Sequence, residues 1–192
     1  MDYFLLDYDL DGPYCSLSGE PDGLRLRPPS VGERSASWWP AEAPFKMSNS
    51  VPAIAVGDFI DNAFSYLMIS ARTKALFEEM VPDPIEYLPF KIVNHKGAEL
   101  KETFYVANVL AVVPAVDMAR SEPRTDDLFP AYCDQLGDLH LDLAKIPPES
   151  RLFRLAPMPQ KILMHQALKE EIERRELTGM VFAEPTGLVS LS

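Results

Sequence analysis

This 192-residue sequence predicts an α+β fold: one domain over residues 1–192, with a mixed β-sheet, two principal helices and a loop-rich N-terminal part at 1–57 ahead of an α+β core at 58–190. Three observations carry that expectation. Lys161 to Glu184 reads as strand, helix, tight turn and strand. Phe64 to Val93 reads as strand, helix and strand in the same order. The chain also holds 18 prolines, which interrupt strands because proline has no amide hydrogen to give a ladder.

From the N-terminus, Tyr8 and Leu10 alternate with Asp7, Asp9 and Asp11, a period of two that suits a strand over residues 3–11 with one wet face. Gly12 to Pro52 is broken by Gly, Pro and Ser. A short strand is expected at Gly23 to Arg27, and Trp38 and Trp39 fall in a loop from which one indole packs back on the core. Val51 to Val56 reads as a strand, and so does Tyr66 to Ile69. Ser70 then caps a helix over Ala71 to Met80, with Leu76 and Met80 one turn apart and Phe77 beside them. Pro82 and Pro84 end it. Ile85 to Val93 follows as a strand, which Pro89 assigns to an edge or a bulge. Asn94 to Gly97 turns the chain into Glu102 to Val113, the strongest β run.

Asp117 to Ser150 is acidic and irregular, broken by Pro123, Pro130, Pro147 and Pro148, with a short strand expected at His140 to Leu143. Arg151 to Leu155 is another strand. Ile162 to Met164 leads into a helix from Gln166 to Leu177, whose apolar face carries Leu168 and Ile172 with Ala167 beside them. Lys169–Glu173, Glu170–Arg174 and Glu171–Arg175 are spaced for exposed pairs one turn apart. Gly179 suits a helix C-cap, and Met180 to Phe182 resumes as a buried strand. The two strand–helix–strand segments read as an internal structural repeat; the commonness of that motif is the competing explanation.

Hydrophobic residues make up 47% and charged residues 24%, a globular composition. The net charge of −11 is uneven: residues 1–24 carry −6, residues 117–149 carry −5, and the rest is neutral. That balance argues against nucleic-acid binding, which needs basic surface, and favours a basic partner or plain solubility. The two cysteines, Cys15 and Cys133, form neither a disulfide scaffold nor a CxxC pair and are expected to be reduced thiols in a cytoplasmic protein. The acidic N-terminus lacks a secretory n-region, and no apolar run reaches the ~20 residues of a membrane span.

Motifs with chemistry are sparse. Asp7, Asp9, Asp11 and Gly12 look like the start of a calcium loop, but the twelfth position, which needs a bidentate Glu, is Ser18. The wet face of a strand is the better reading. His95, His140 and His165 have no zinc-ligand spacing, and His165 stands where the first segment has its Ser70 cap. Cys133, His140 and an Asp would form a thiol site if the fold assembled them; a small buried thiol is the commoner outcome. No nucleophile elbow or phosphate-binding glycine loop is present. No cofactor and no metal are expected.

Phe153, Arg154 and Leu155 of a short strand, the Leu177-Thr178-Gly179 turn after the second helix, and Phe182 in the strand beyond it stand in an order that resembles the close of immunity family eleven of bacterial polymorphic-toxin systems, a former domain of unknown function. LMISARTKALFEEM resembles the family's first strand and helix, with Ser70 as cap. IEYLPFKI resembles the following strand, and FYVANVLAVVPAVDMARS resembles its next segment through Tyr105, Asn108, Val109 and Asp117. His165 departs from the serine expected at the second cap. The resemblance covers about residues 58–186. It implies a protein that binds and neutralises a co-produced toxin, with no catalytic residues and no cofactor.

The acidic charge adds that the toxin presents a basic surface. Asp126, Asp127, Asp134, Asp138 and Asp142, in the linker between the two segments, are the first candidates for toxin contact; Asp7, Asp9 and Asp11 are the alternative patch. A solvated face with no partner competes with both. Two other classes compete with toxin binding: a small-ligand or ion-binding regulatory module using the N-terminal aspartates, and an enzyme with a spatially assembled Cys/His site.

Overall fold

The computed structural model describes residues 2–19, 21, 24, 29–40, 43–125, 133–187 and 189–190. The expected α+β composition is present, but the strands divide among three sheets. Six strands close a barrel: β2 (Ser16–Gly19), β3 (Ala43–Met47), β4 (Phe59–Asn62), β5 (Met68–Ile69), β6 (Ile85–Val93) and β7 (Phe104–Val109), in the order β2-β3-β6-β7-β5-β4. A five-stranded sheet joins β1 (Tyr3–Tyr8), β8 (Val112–Val113), β11 (Leu152–Leu155), β12 (Met158–His165) and β13 (Met180–Ala183), in the order β13-β1-β12-β11-β8. A small sheet holds β9 (Pro123–Thr125), β10 (Cys133–Leu136) and β14 (Val189–Ser190).

The barrel follows from alternation. On β3 Ala43, Phe45 and Met47 point inward, and on β6 Leu88, Phe90 and Ile92 do the same. Pro89 does not place β6 at an edge; the strand lies between β3 and β7. The parallel pairing with β3 begins only at Phe90, so the missing amide hydrogen of Pro89 leaves no rung broken there. The Pro89 carbonyl accepts a hydrogen bond from Trp39 Nε1 at 2.7 Å, which draws that indole back onto the core.

The N-terminal part is more ordered than its punctuation suggests. β1 runs between β12 and β13, and β2 and β3 belong to the barrel. Pro44 disguises β3 in the sequence. Val51 to Val56 is not a strand; Ala55 makes only an isolated bridge with Tyr14. The strand expected at Gly23 to Arg27 falls outside the described residues apart from Leu24. The long β run also divides: β7 stops at Val109, and β8 crosses to pair parallel with β11.

Helix α1 (Ala71–Met80) starts where expected, with Ser70 Oγ accepting the Thr73 amide at 3.3 Å. Helix α2 (Gln166–Arg174) uses His165 as its cap, Nδ1 accepting the Ala167 amide at 3.1 Å. Strand, helix and strand thus occur twice, once in each large sheet. One antiparallel strand separates β5 from β6, and another separates β12 from β13. Leu76 and Phe77 of α1 and Leu168 and Ile172 of α2 share one apolar cluster with Phe59, Val109, Leu152 and Met164. Both helices therefore fill the seam between barrel and sheet.

α2 is shorter than expected. It ends at Arg174, and Glu176 turns the chain with φ +52°. Gly179 is not the C-cap. It adopts φ +89°, and a Cβ there would collide with the Phe59 carbonyl, so both conformation and space require glycine. β13 is an edge strand, half exposed rather than buried.

Two polar hubs fasten the seam. Buried Asp58 accepts hydrogen bonds from Ser70 Oγ at 2.7 Å, Arg72 Nη1 at 3.0 Å and the Thr178 amide at 3.2 Å. Arg154, fully buried, donates to the carbonyls of Val109, Ser30, Pro159 and Pro29 at 2.7–3.2 Å. Burial lowers its pKa to about 10. Its charge is met by carbonyl dipoles, with no carboxylate among these partners.

Candidate functional site

The described linker acids are individually engaged. Asp134 lies on β10 and faces Arg124 Nε at 3.8 Å. Asp138 Oδ1 accepts the Gly187 amide at 2.5 Å, and its Oδ2 is 3.5 Å from His140 Nε2. Asp142 caps the 3-10 turn Leu143–Lys145 through the Ala144 amide at 3.3 Å and pairs with Lys145 at 3.3 Å. Asp126 and Asp127 lie outside the described residues. The segment expected to be irregular holds β9, β10 and this turn, because backbone pairing with β14 gives its polar strands a partner. Leu141 makes one bridge with Val116 instead of a strand.

The N-terminal acids lie on different ground. β1 pairs with β12 only as far as Leu5 and Leu163, while its pairing with β13 continues to Tyr8 and Met180. Where β1 and β12 part, a cleft of about 440 Å³ opens. Leu6, Tyr8, Ile162 and Met180 line its walls, and Asp7, Asp61 and Lys161 bring charge to it. β1 ends at Tyr8, so Asp9 to Asp11 form the following turn; Leu10 borders the cleft and is 75% exposed. Asp7 carries its exposed carboxylate opposite Val181 of β13.

The floor is rigid. Asn62 Oδ1 accepts the amides of Phe64 and Tyr66, each at 3.1 Å, and Nδ2 donates to the carbonyls of Tyr66 at 2.8 Å and Ile60 at 3.0 Å. Tyr8 Oη donates to the Tyr66 carbonyl at 2.6 Å. Ser65, inside this loop, is held at φ +56°, a costly conformation for a residue other than glycine. Burial first, then the charges of Asp61 and Asp7, push the Tyr8 hydroxyl well above its ordinary range. Asp61 was not a candidate from sequence. Nothing in FIDN marks it, since the cleft is built from separate segments spread between Leu6 and Met180.

Asp7, Asp9 and Asp11 do not converge on a point. Among the described residues, no three His, Cys, Asp or Glu side chains gather as a metal ion requires. Cys133 is buried in the cluster around Leu136 and Phe153, and burial raises its thiol pKa, the reverse of nucleophile activation. His140 faces Asp138, and no contact joins it to Cys133 among the described residues. No helix among these residues is long and apolar enough to cross a membrane.

Comparison with known proteins gives one family: the model described as Immunity protein family (Imm11) matches residues 20–186, most of the chain. The match starts well ahead of residue 58, so it takes in barrel strand β3 as well as the later segments that carry the resemblance. No curated protein matches the chain.

Proposed function

The chain belongs to the immunity protein family Imm11, and from that membership we propose that it binds a cognate protein toxin stoichiometrically and so neutralises it. Family membership is the observation that carries the reading. Its chemistry agrees: the Cys133 thiol is buried and raised, and the acids lie in two stretches of the chain. An acidic surface steers a basic partner and accelerates encounter, with a gain that fades as salt screens it. The chain works as one unit in the cytoplasm, where reduced thiols such as Cys15 and Cys133 persist.

Two acidic sets compete for the working surface. The linker set, Asp126, Asp127, Asp134, Asp138 and Asp142, is the larger. The set at Asp7, Asp9 and Asp11 borders a cleft and an exposed Leu10, and concave ground with an apolar anchor is where interface energy concentrates. The cleft also favours a second reading, a small-ligand module.

The experiment compares two triple variants, Asp126/Asp127/Asp134→Lys and Asp7/Asp9/Asp11→Lys, for association rate with the toxin and for protection of toxin-producing cells. We expect the N-terminal variant to associate about tenfold more slowly at low salt with an unchanged melting temperature. Protection and on-rate left intact by both variants would remove the acidic-surface reading. Protection lost only in the linker variant would move the interface there.

A further inference from the structure

Resting on the immunity reading, we propose that the cleft between β1 and β12 is an arginine pocket: it receives one arginine side chain of the toxin, whose guanidinium meets half-buried Asp61, with the exposed Asp7 at the rim adding negative charge. Three independent features of the cleft define this occupant.

The first is shape. About 440 Å³ is ample for one long side chain, and Leu6, Ile162 and Met180 give an alkyl stem apolar surface to lie on. The second is charge. Asp61 is half-buried and its carboxylate has no hydrogen bond or ion pair among the described residues. Among the described residues, the Asp7 carboxylate is engaged only by the neighbouring Tyr8 amide, at 2.9 Å. Lys161 also borders the cleft but pairs with neither carboxylate, and two carboxylates against one ammonium leave its described lining net negative. A carboxylate partly removed from water and left without a cation favours a cationic guest, and a planar guanidinium can grip it with two parallel hydrogen bonds. The third is preorganisation. The Asn62 hydrogen bonds and the strained Ser65 fix the floor before any guest arrives, so little ordering cost falls on binding. Exposed Leu10 on the rim supplies apolar contact beside the charged anchor.

The test uses the isotope-labelled full chain titrated with N-acetylarginine amide, followed by amide and methyl shifts, with N-acetylnorleucine amide as the uncharged control. Saturable shifts at Leu6, Tyr8, Asp61 and Met180 are expected for the arginine probe alone. Asp61→Asn is expected to weaken binding about tenfold, the loss of a charge-assisted contact. Asp7→Asn, altering an exposed residue, gives a second reading if the first variant folds poorly. Shifts scattered evenly over the acidic surface, or equal titration in both variants, overturn the pocket. A second arm measures capture of the toxin by the same variants: a matching loss supports the proposal, and unchanged capture overturns it. Failure of the wild-type chain to protect against any toxin appears in cells, independently of the probe titration, and counts against the immunity reading instead.

Discussion

At the residue scale, Arg154 departs furthest from its sequence pattern. In RLFRL it is a charged residue between apolar neighbours on a strand, yet it is fully buried. The acceptors that permit this come from Pro29, Ser30, Val109 and Pro159, and nothing local announces such a convergence. Arg154→Ala leaves four buried carbonyls without this donor, and we expect a loss of about 3–5 kcal/mol in urea unfolding. Arg154→Lys should recover little of it, because one ammonium cannot reproduce the planar fork. A loss below about 1 kcal/mol would show that those carbonyls find other donors. Gly179 is a second such residue. Gly179→Ala should cost about 1–3 kcal/mol from its positive φ, with more from the clash with Phe59. Asp61 illustrates the same limit for the site, since its importance comes from a cleft that sequence neighbours do not define.

At the element scale, the helices were legible and several strands were not. α1 and α2 have strong periodicity and caps, and Leu168 and Ile172 are buried as their spacing requires. Leu168→Ala should destabilise the chain by about 2–5 kcal/mol, and an unchanged melting temperature would contradict its place in the seam. Surface pairs on α2 obey local geometry only partly. Lys169–Glu173 and Glu171–Arg175 form, but Arg174 turns to Glu171, and Glu170 takes Gln166 instead. Hydrogen bonds from Arg174, then Arg175, lower the Glu171 pKa to about 2 from 4.5. A carboxyl held low in the folded state contributes stability above its unfolded pKa and loses that contribution as pH falls through its folded pKa. Wild type and Glu171→Gln should therefore differ in melting temperature above pH 4.5 and converge as pH approaches about 2, with salt shrinking the gap. Strands were harder because Pro44 masks β3, and because Glu102 to Val113 is one apolar run serving two sheets. Which strand pairs with which is a long-range property that alternation does not encode.

At the scale of the whole molecule, the α+β class and the family were legible, while the division into a barrel and two further sheets was not. A central β1 paired with β12 and β13 needs contacts between the ends of the chain, and no local pattern specifies them. The two acidic stretches were visible as composition, but only the fold sets the N-terminal one beside a cleft. We propose that this chain protects by forming a complex and not by turning over a substrate. The most direct measurement is a titration of toxin activity, at a toxin concentration far above the dissociation constant, with increasing amounts of the chain. Toxin activity should fall linearly and reach zero at an equimolar ratio, with recovery only on dissociation. Complete inactivation by a small fraction of an equivalent, growing with time, would contradict the account and point to an enzyme.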